Sequence, residues 1–247
     1  MESADLRALA KTPSADRSAE ILTERLKLNH PFLFLRYGDG ALECIRGDRA
    51  ATRDDEAYTP ELACDLHEAW QILAADRAAD RWIFIGDWLT ASFAGEPSHV
   101  SEWRALLGAW RPWMLHFETL LLMRRTRALY DFYRTVQHSP LRKALLGPPW
   151  MKETARKLGA VHIQTELGGL HARAWFYEHA LISEKFQLLL FAGGLAVNLP
   201  VVHCWQRHPQ RTYIHVGSAF DPLTKTTRSQ QLAPVDARAY YRGVLCD

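Results

Sequence analysis

Residues Phe32–Asp48 read FLFLRYGDGALECIRGD. The stretch begins as a short apolar run with the character of a buried strand. It then breaks into Arg36-Tyr37-Gly38-Asp39-Gly40, a charged turn flanked by glycines. The same strand-then-turn pattern recurs downstream. RWIFIGDW is a second strand ending in Gly86-Asp87, and AVHIQTE is another. FQLLLFAGG is the clearest buried strand, and RTYIHVGSAFD is the last.

Helical patterns lie between these strands. Ser18 to Leu28 is expected to open as a helix, with residues 1–17 as a flexible or helical extension. TPELACDLHEAWQILAAD has Thr59 as N-cap, Pro60 in the first turn, and Leu62, Leu66, Ala69 and Leu73 at helical spacing. SEWRALLGAWRPW, capped by Ser101, and ARAWFYEHALISEK read as helices. So do PPWMKETARKLG, ended by Gly159, and a segment starting at Leu195. MLHFETLLL fits strand or helix, and SPLRKALLG reads only as a short segment. Strands alternating with helices predict a single α/β domain over residues 1–247. Its sheet is expected to be mostly parallel, twisted and flanked by helices, in the Rossmann-like manner.

Composition fits that picture. Of 247 residues, 48% are hydrophobic and 23% charged, and the formal net charge is +2. Neither a polybasic chain nor an acidic tail is indicated. Cys44, Cys64, Cys204 and Cys246 show no close pairing, which fits reduced thiols and a cytoplasmic setting. The polar N-terminus lacks a signal-peptide apolar region. The apolar run FQLLLFAGGLAVNLPVV is interrupted by two glycines and a proline, so no membrane span is expected.

Acidic residues gather just after the strands: Asp39, Asp87, Glu166 and Asp221. In open α/β sheets ligands bind outside the carboxyl ends of the strands, so these acids could share one cleft. Asp39 would be an N-cap if a helix began at Gly40. Glu43, one turn further on, is not explained by capping, because a capping box would place the acid at Leu42. Two carboxylates one turn apart can share a hard cation such as Mg²⁺ or Mn²⁺. Arg36 on an apolar strand needs a partner, and phosphate is one. The Gly193-Gly194 turn follows a buried strand and opens a helix, so its amides could face a diphosphate or merely pack strand on helix. Asn198 lies one turn later. GSAFDPLTKTTR brings Ser218, Asp221, Lys225, Thr227 and Arg228 together after the last strand, as a ligand loop or a solvated one.

Other signals are weaker. His203, Cys204 and His208 match no zinc spacing, and His116 beside Glu118 is an acid/base candidate. Trp88 and Trp150 could stack a base or sugar. Arg124, Arg125 and Arg127, Arg142 and Lys143, and Lys152, Arg156 and Lys157 form small basic clusters, either solvated or facing an acidic partner. There is no G-x-S-x-G or Walker motif.

RYGDGALECI resembles the Arg-aromatic-Gly-Asp-Gly signature of the GT-D fold glycosyltransferases, first described as a domain of unknown function. RWIFIGDW, GPPWMKETARKLGAVHI, LLLFAGGLAVNLPVV and YIHVGSAFDPLTKTTR are similar to later parts of that family, so the resemblance covers most of Pro31 to Arg228. It implies a metal-dependent enzyme that moves a sugar from a nucleotide-sugar donor, typically a UDP-sugar, to a hydroxyl acceptor. That acceptor would be a glycan, a glycoprotein or DNA. It further implies Mn²⁺ or Mg²⁺ on Asp39. The family's second acid belongs at position 41, where this chain has Ala41, and Glu43 is the nearby substitute. Arg36, Gly38, Gly40, Gly193, Gly194, Asn198, Ser218, Asp221 and Arg228 fall on the donor side. Asp39, Asp87 and Glu118 are the catalytic candidates, with Asp87 as acceptor-side base. Two alternatives stand beside this expectation. One is a phage-type DNA glycosyltransferase acting on a hydroxymethylated base, and the other a non-catalytic nucleotide-sugar-binding module.

Overall fold

The computed structural model describes residues 13–37, 39–47, 59–76, 82–87, 113–120, 126–165 and 185–217. The first half holds α1 (Ala15–Lys27), β1 (Leu33–Tyr37), α2 (Asp39–Ile45), α3 (Pro60–Ala75), β2 (Ile83–Asp87) and β3 (Trp113–His116). The second holds α4 (Arg127–His138), β4 (Lys143–Gly147), α5 (Lys152–Lys157), β5 (Val161–Gln164), β6 (Leu188–Phe191), α6 (Asn198–Arg207) and β7 (Thr212–His215). Short 3₁₀ turns follow β3 (Phe117–Leu120), precede α5 (Pro149–Met151) and precede α6 (Leu195–Val197).

Three helices start where a hydroxyl closes the first turn. Ser14, Thr59 and Thr126 accept the N–H of Arg17, Leu62 and Leu129 at 3.2, 3.2 and 3.3 Å. Each such cap is worth about 1 kcal/mol. Thr59 and Pro60 act as expected, and Leu62, Leu66, Ala69 and Leu73 form the buried face of α3. α1 starts ahead of the expected Ser18, because Ser14 is the cap. Ser18 is instead buried, and its Oγ accepts the backbone N–H of His116 at 3.0 Å. Gly159, at φ +64°, ends α5 in the left-handed turn expected of it. MLHFETLLL divides: strand through His116, then a 3₁₀ turn. SEWRALLGAWRPW and ARAWFYEHALISEK lie outside the described residues, apart from Trp113, which starts β3, and Lys185.

Two elements carry no sequence signal noted above, namely α4 and the strand β4 within SPLRKALLG. Their junction explains β4. Lys143 opens the strand buried, and its ammonium donates to the last carbonyls of α4: Val136 at 3.1 Å, Gln137 at 2.7 Å and Ser139 at 3.0 Å. Lys143 is therefore an internal helix C-cap rather than part of a basic surface. Burial lowers its pKa.

The seven strands form one sheet in the order β3-β2-β1-β7-β6-β4-β5, and every pairing is parallel. Continuous apolar strands such as Leu188–Phe191 are what a parallel sheet covered on both faces requires. On one face Leu33, Leu35 and Tyr37 pack with Leu66 and Trp70 of α3 and Val201 of α6. On the other, Phe32 and Phe34 pack with Leu22 of α1, Phe132 of α4 and Leu158 following α5. The steps β1-β2-β3 and β6-β7 run one way across the sheet, and β4-β5 runs the other. The reversal falls between β4 and β6, the position at which such sheets open a crevice.

Candidate functional site

All seven strands point the same way, so their carboxyl ends share one rim. Asp87 is the last residue of β2, in register with Tyr37 of β1 and His116 of β3. Strands in a sheet lie about 4.8 Å apart. Asp39 follows β1 directly, and Glu118 lies in the turn after β3. The three candidate acids thus belong to three neighbouring strand ends. α2 begins at Asp39 itself, so Asp39 stands in the first turn and not at the expected N-cap position before Gly40. A negative charge there is favoured by the helix dipole.

The second candidate ligand has a distinct setting. Glu43 is half-buried on α2, and its Oε2 is buried with no hydrogen-bond partner. A carboxylate oxygen left so is the kind of donor a hard cation takes. Ala41 is fully buried in the apolar cluster of α2, α3 and α6. Position 41 therefore packs the core. Among the described residues no three His, Cys, Asp or Glu side chains converge.

Arg36 is 7% exposed. Its Nη1 donates to the carbonyl of Val216 at 3.4 Å. The guanidinium occupies the space that a Cβ on Gly217 would fill, and Gly217 itself has φ +55°. Only glycine meets both conditions at low cost. Asn198 opens α6 fully buried, and its Nδ2 donates to the carbonyl of Arg36 at 3.4 Å, tying the helix to β1. Its Oδ1 has no partner. The Gly193-Gly194 turn caps β6, next to the reversal in sheet order, with Gly194 at φ 68° and ψ −157°, a conformation side chains resist. Gly40 lies in α2. Gly38, Trp88, Glu166, Ser218, Asp221, Lys225, Thr227 and Arg228 lie outside the described residues.

His215 escaped the sequence reading. It ends β7, is 3% exposed, and its Nδ1 has no partner. Burial, and then the Arg36 charge, push its pKa down to about 3. Only its position beside the GS turn could have drawn attention to it. His116 is buried, and its carbonyl accepts from the Thr119 hydroxyl. His203 lies 4.0 Å from Glu68 on the helical surface, and Cys204 is buried. Trp150 is exposed in the turn after β4.

No family model matches the chain, and no curated protein sequence matches it. Solved structures do. A glycosyltransferase from Streptococcus sanguinis, of the domain of unknown function 1792, superposes with a TM-score of 0.56 over 85% of this chain and 81% of its own, at 12% identity. Another structure of that conserved domain, described as a distinct glycosyltransferase fold, gives 0.52 over 84% of each chain at 13% identity. A selenomethionine structure of the same domain gives 0.50 over 83% of this chain and 81% of its own, at 14% identity. The chain has this fold. The α/β architecture expected from the alternating strands and from the RYGDG resemblance is the one found, with a sheet parallel throughout. Among the described residues no helix is long and apolar enough to cross a membrane.

Proposed function

We propose that the chain is a glycosyltransferase that takes a nucleotide sugar, of the UDP type, and passes the sugar to a hydroxyl acceptor. One observation carries the reading: in a glycosyltransferase fold, acids 39, 87 and 118 come from three neighbouring strand ends, on the rim that also holds Arg36 and the Gly193-Gly194 turn. Asp39 and Glu43 would hold Mn²⁺ or Mg²⁺, which supplies charge neutralisation at a departing diphosphate. Arg36 and the glycine turn hold phosphate oxygens. Asp87 takes the proton of the acceptor hydroxyl, with Glu118 as the other candidate base. Gly38, Ser218, Asp221 and Arg228 complete the donor side in this reading.

A DNA acceptor finds little support in the basic clusters. Lys143 is interior, Arg127 pairs with Asp131 at 3.0 Å, and Arg156 pairs with Glu153 at 2.6 Å. A binding module without turnover is the second reading, favoured by the burial of Ala41. Thermal shift with UDP, GDP and TDP, each with and without Mn²⁺, tests the proposal. At about 100 times Kd a ligand stabilises by ~2.7 kcal/mol, a clear rise in Tm. No rise with any of the three counts against it. A rise without hydrolysis of any nucleotide sugar selects the binding module.

A further inference from the structure

The amino end of the sheet, opposite the rim, carries a column of flat side chains that the roles above leave unused. Phe84 of β2 stacks on Trp82, with ring centres 6.1 Å apart and 27° between planes. Trp82 stacks in turn on Trp113, at 5.2 Å and 22°. The guanidinium carbon of Arg25, from α1, lies 3.4 Å from the centre of the Trp82 ring. Arg25 Nη1 also donates to Nδ1 of His30 at 3.2 Å. The strand starts hold these groups together. Trp113 is the first residue of β3, and the carbonyl of Trp82 accepts the N–H of Leu33, the first of β1, at 2.9 Å. Burial falls along the column: Phe84 is 1% exposed, Trp82 is half-buried, and Trp113 is 50% exposed. His30 is exposed as well.

A tryptophan exposed singly on a surface needs no explanation. Trp113 differs, because its plane is set by Trp82, and Trp82 is itself held by Phe84 and Arg25. A side chain ordered in advance loses little freedom when a ligand arrives. We propose that Trp113, braced by Trp82 and joined by Arg25 and His30, is a carbohydrate-binding platform that holds a glycan away from the rim. The inference rests on the glycosyltransferase reading for its choice of ligand, and adds a second place where a glycan acceptor is held. One face of a pyranose ring presents C–H groups, and their partial positive charge lies well on the negative face of an indole. The hydroxyls around that ring take planar donors and acceptors beside the stack. Arg25 brings five N–H groups, one of which is engaged by His30, and His30 brings its second ring nitrogen. A nucleic acid base would also stack, but its phosphate chain needs a basic track. The exposed neighbours of Arg25 on α1 are of both signs, Glu24 and Lys27. Only about 10 Å of strand separates Trp113 from His116 at the rim, a span that a short oligosaccharide covers.

The test titrates maltohexaose, cellohexaose, chitohexaose and oligo-dT into wild type, Trp113→Phe and Trp113→Ala, each labelled with 5-fluorotryptophan and followed by ¹⁹F NMR. The Trp113 resonance is the one missing from both variants. At least one oligosaccharide should move that resonance in wild type. Trp113→Ala should weaken its binding by about tenfold or more, as loss of an aromatic anchor does, and Trp113→Phe, which keeps an aromatic face, should retain part of it. The rise in Tm with UDP and Mn²⁺ should be the same in Trp113→Ala as in wild type. No movement of the Trp113 resonance with any oligosaccharide overturns the platform, and so does equal binding by Trp113→Ala. Movement with oligo-dT alone overturns it in favour of a nucleic acid, and sedimentation showing a dimer that Trp113→Ala dissociates overturns it in favour of a second copy. In each of these cases a Tm rise with nucleotide leaves the glycosyltransferase reading standing. A Trp113 shift with oligosaccharide but no Tm rise with any nucleotide keeps the platform and removes that reading. Where Trp113→Ala fails to fold, the wild-type resonance and Trp113→Phe decide.

Discussion

Lys143 enters the sheet at the amino end of β4 with three carbonyls around its ammonium. At the carboxyl ends, Glu43, Thr165, Asn198 and His215 each bury a polar atom that no described residue meets. An unmet buried group costs about 1–3 kcal/mol. At the amino end Lys143 is fully engaged in holding a helix in place, whereas at the carboxyl ends some polar groups hold helices, as Asn198 and Ser18 do, and others stay unmet. Among the described residues Trp205 departs from the pattern: its Nε1 is unmet in the last turns of α6, away from the rim. The contrast separates architecture from function more sharply than residue type does, since a buried lysine is usually the first residue suspected of chemistry.

The largest effects should come from the rim acids. Asp87→Asn should lower turnover by roughly 10²–10⁴-fold while donor affinity stays near wild type, as loss of a general base does. Normal turnover would remove the assignment. Asp39→Asn should abolish turnover yet cost less than about 1 kcal/mol in denaturant unfolding, the reach of a first-turn charge on a helix dipole. Glu43→Gln should raise the Mn²⁺ concentration needed for activity. If it does not, the second cation ligand lies elsewhere, with Asp221 or Asp87 next.

The middle effect breaks the comparison from the other side. Lys143→Met should cost about 1–3 kcal/mol of stability, since the carbonyls of α4 lose their donor, while UDP affinity is unchanged. A loss of affinity with stability intact would put Lys143 among the functional residues after all.

The last effect appears only with pH. Above about 6.5 the His215 ring is neutral folded and unfolded and contributes nothing. Below it the unfolded chain takes up a proton that the folded chain refuses until about pH 3, so stability falls as pH drops. The slope is ~1.4 kcal/mol per pH unit at most. His215→Leu should flatten this part of the acid limb, measured by urea midpoints across the range. An unchanged limb would show that the ring titrates normally.

The parts legible in the sequence are those decided locally. Thr59 with Pro60, the apolar face of α3, Gly159 and the run Leu188–Phe191 each state their conformation within a few residues. β4 was not legible, because a strand that begins with lysine is credible only once carbonyls of a helix already passed are known to receive it. His215 was hidden for the same reason, its neutrality depending on burial and on Arg36, which lies far back in the chain. Arg36, Asp39 and Gly194 were visible as residues out of keeping with a plain strand or helix. Ala41 was visible as a departure from the motif, but its burial in the core was not.

The sheet order has a consequence for how the molecule is made. β3, β2 and β1 form one half and β6, β4 and β5 the other, and β7 alone joins them. During synthesis the strands of each half can pair among themselves, but the seam between them waits for Thr212–His215. The β1–β7 pairing brings Phe34 to Ile214, a loop closure spanning most of the chain, and such distant pairings form slowly. Arg36, Asn198 and Gly217 meet at that seam. Binding competence should therefore be the last property the nascent protein acquires, and a chain arrested before Thr212 would carry both half-sheets without the place where they meet.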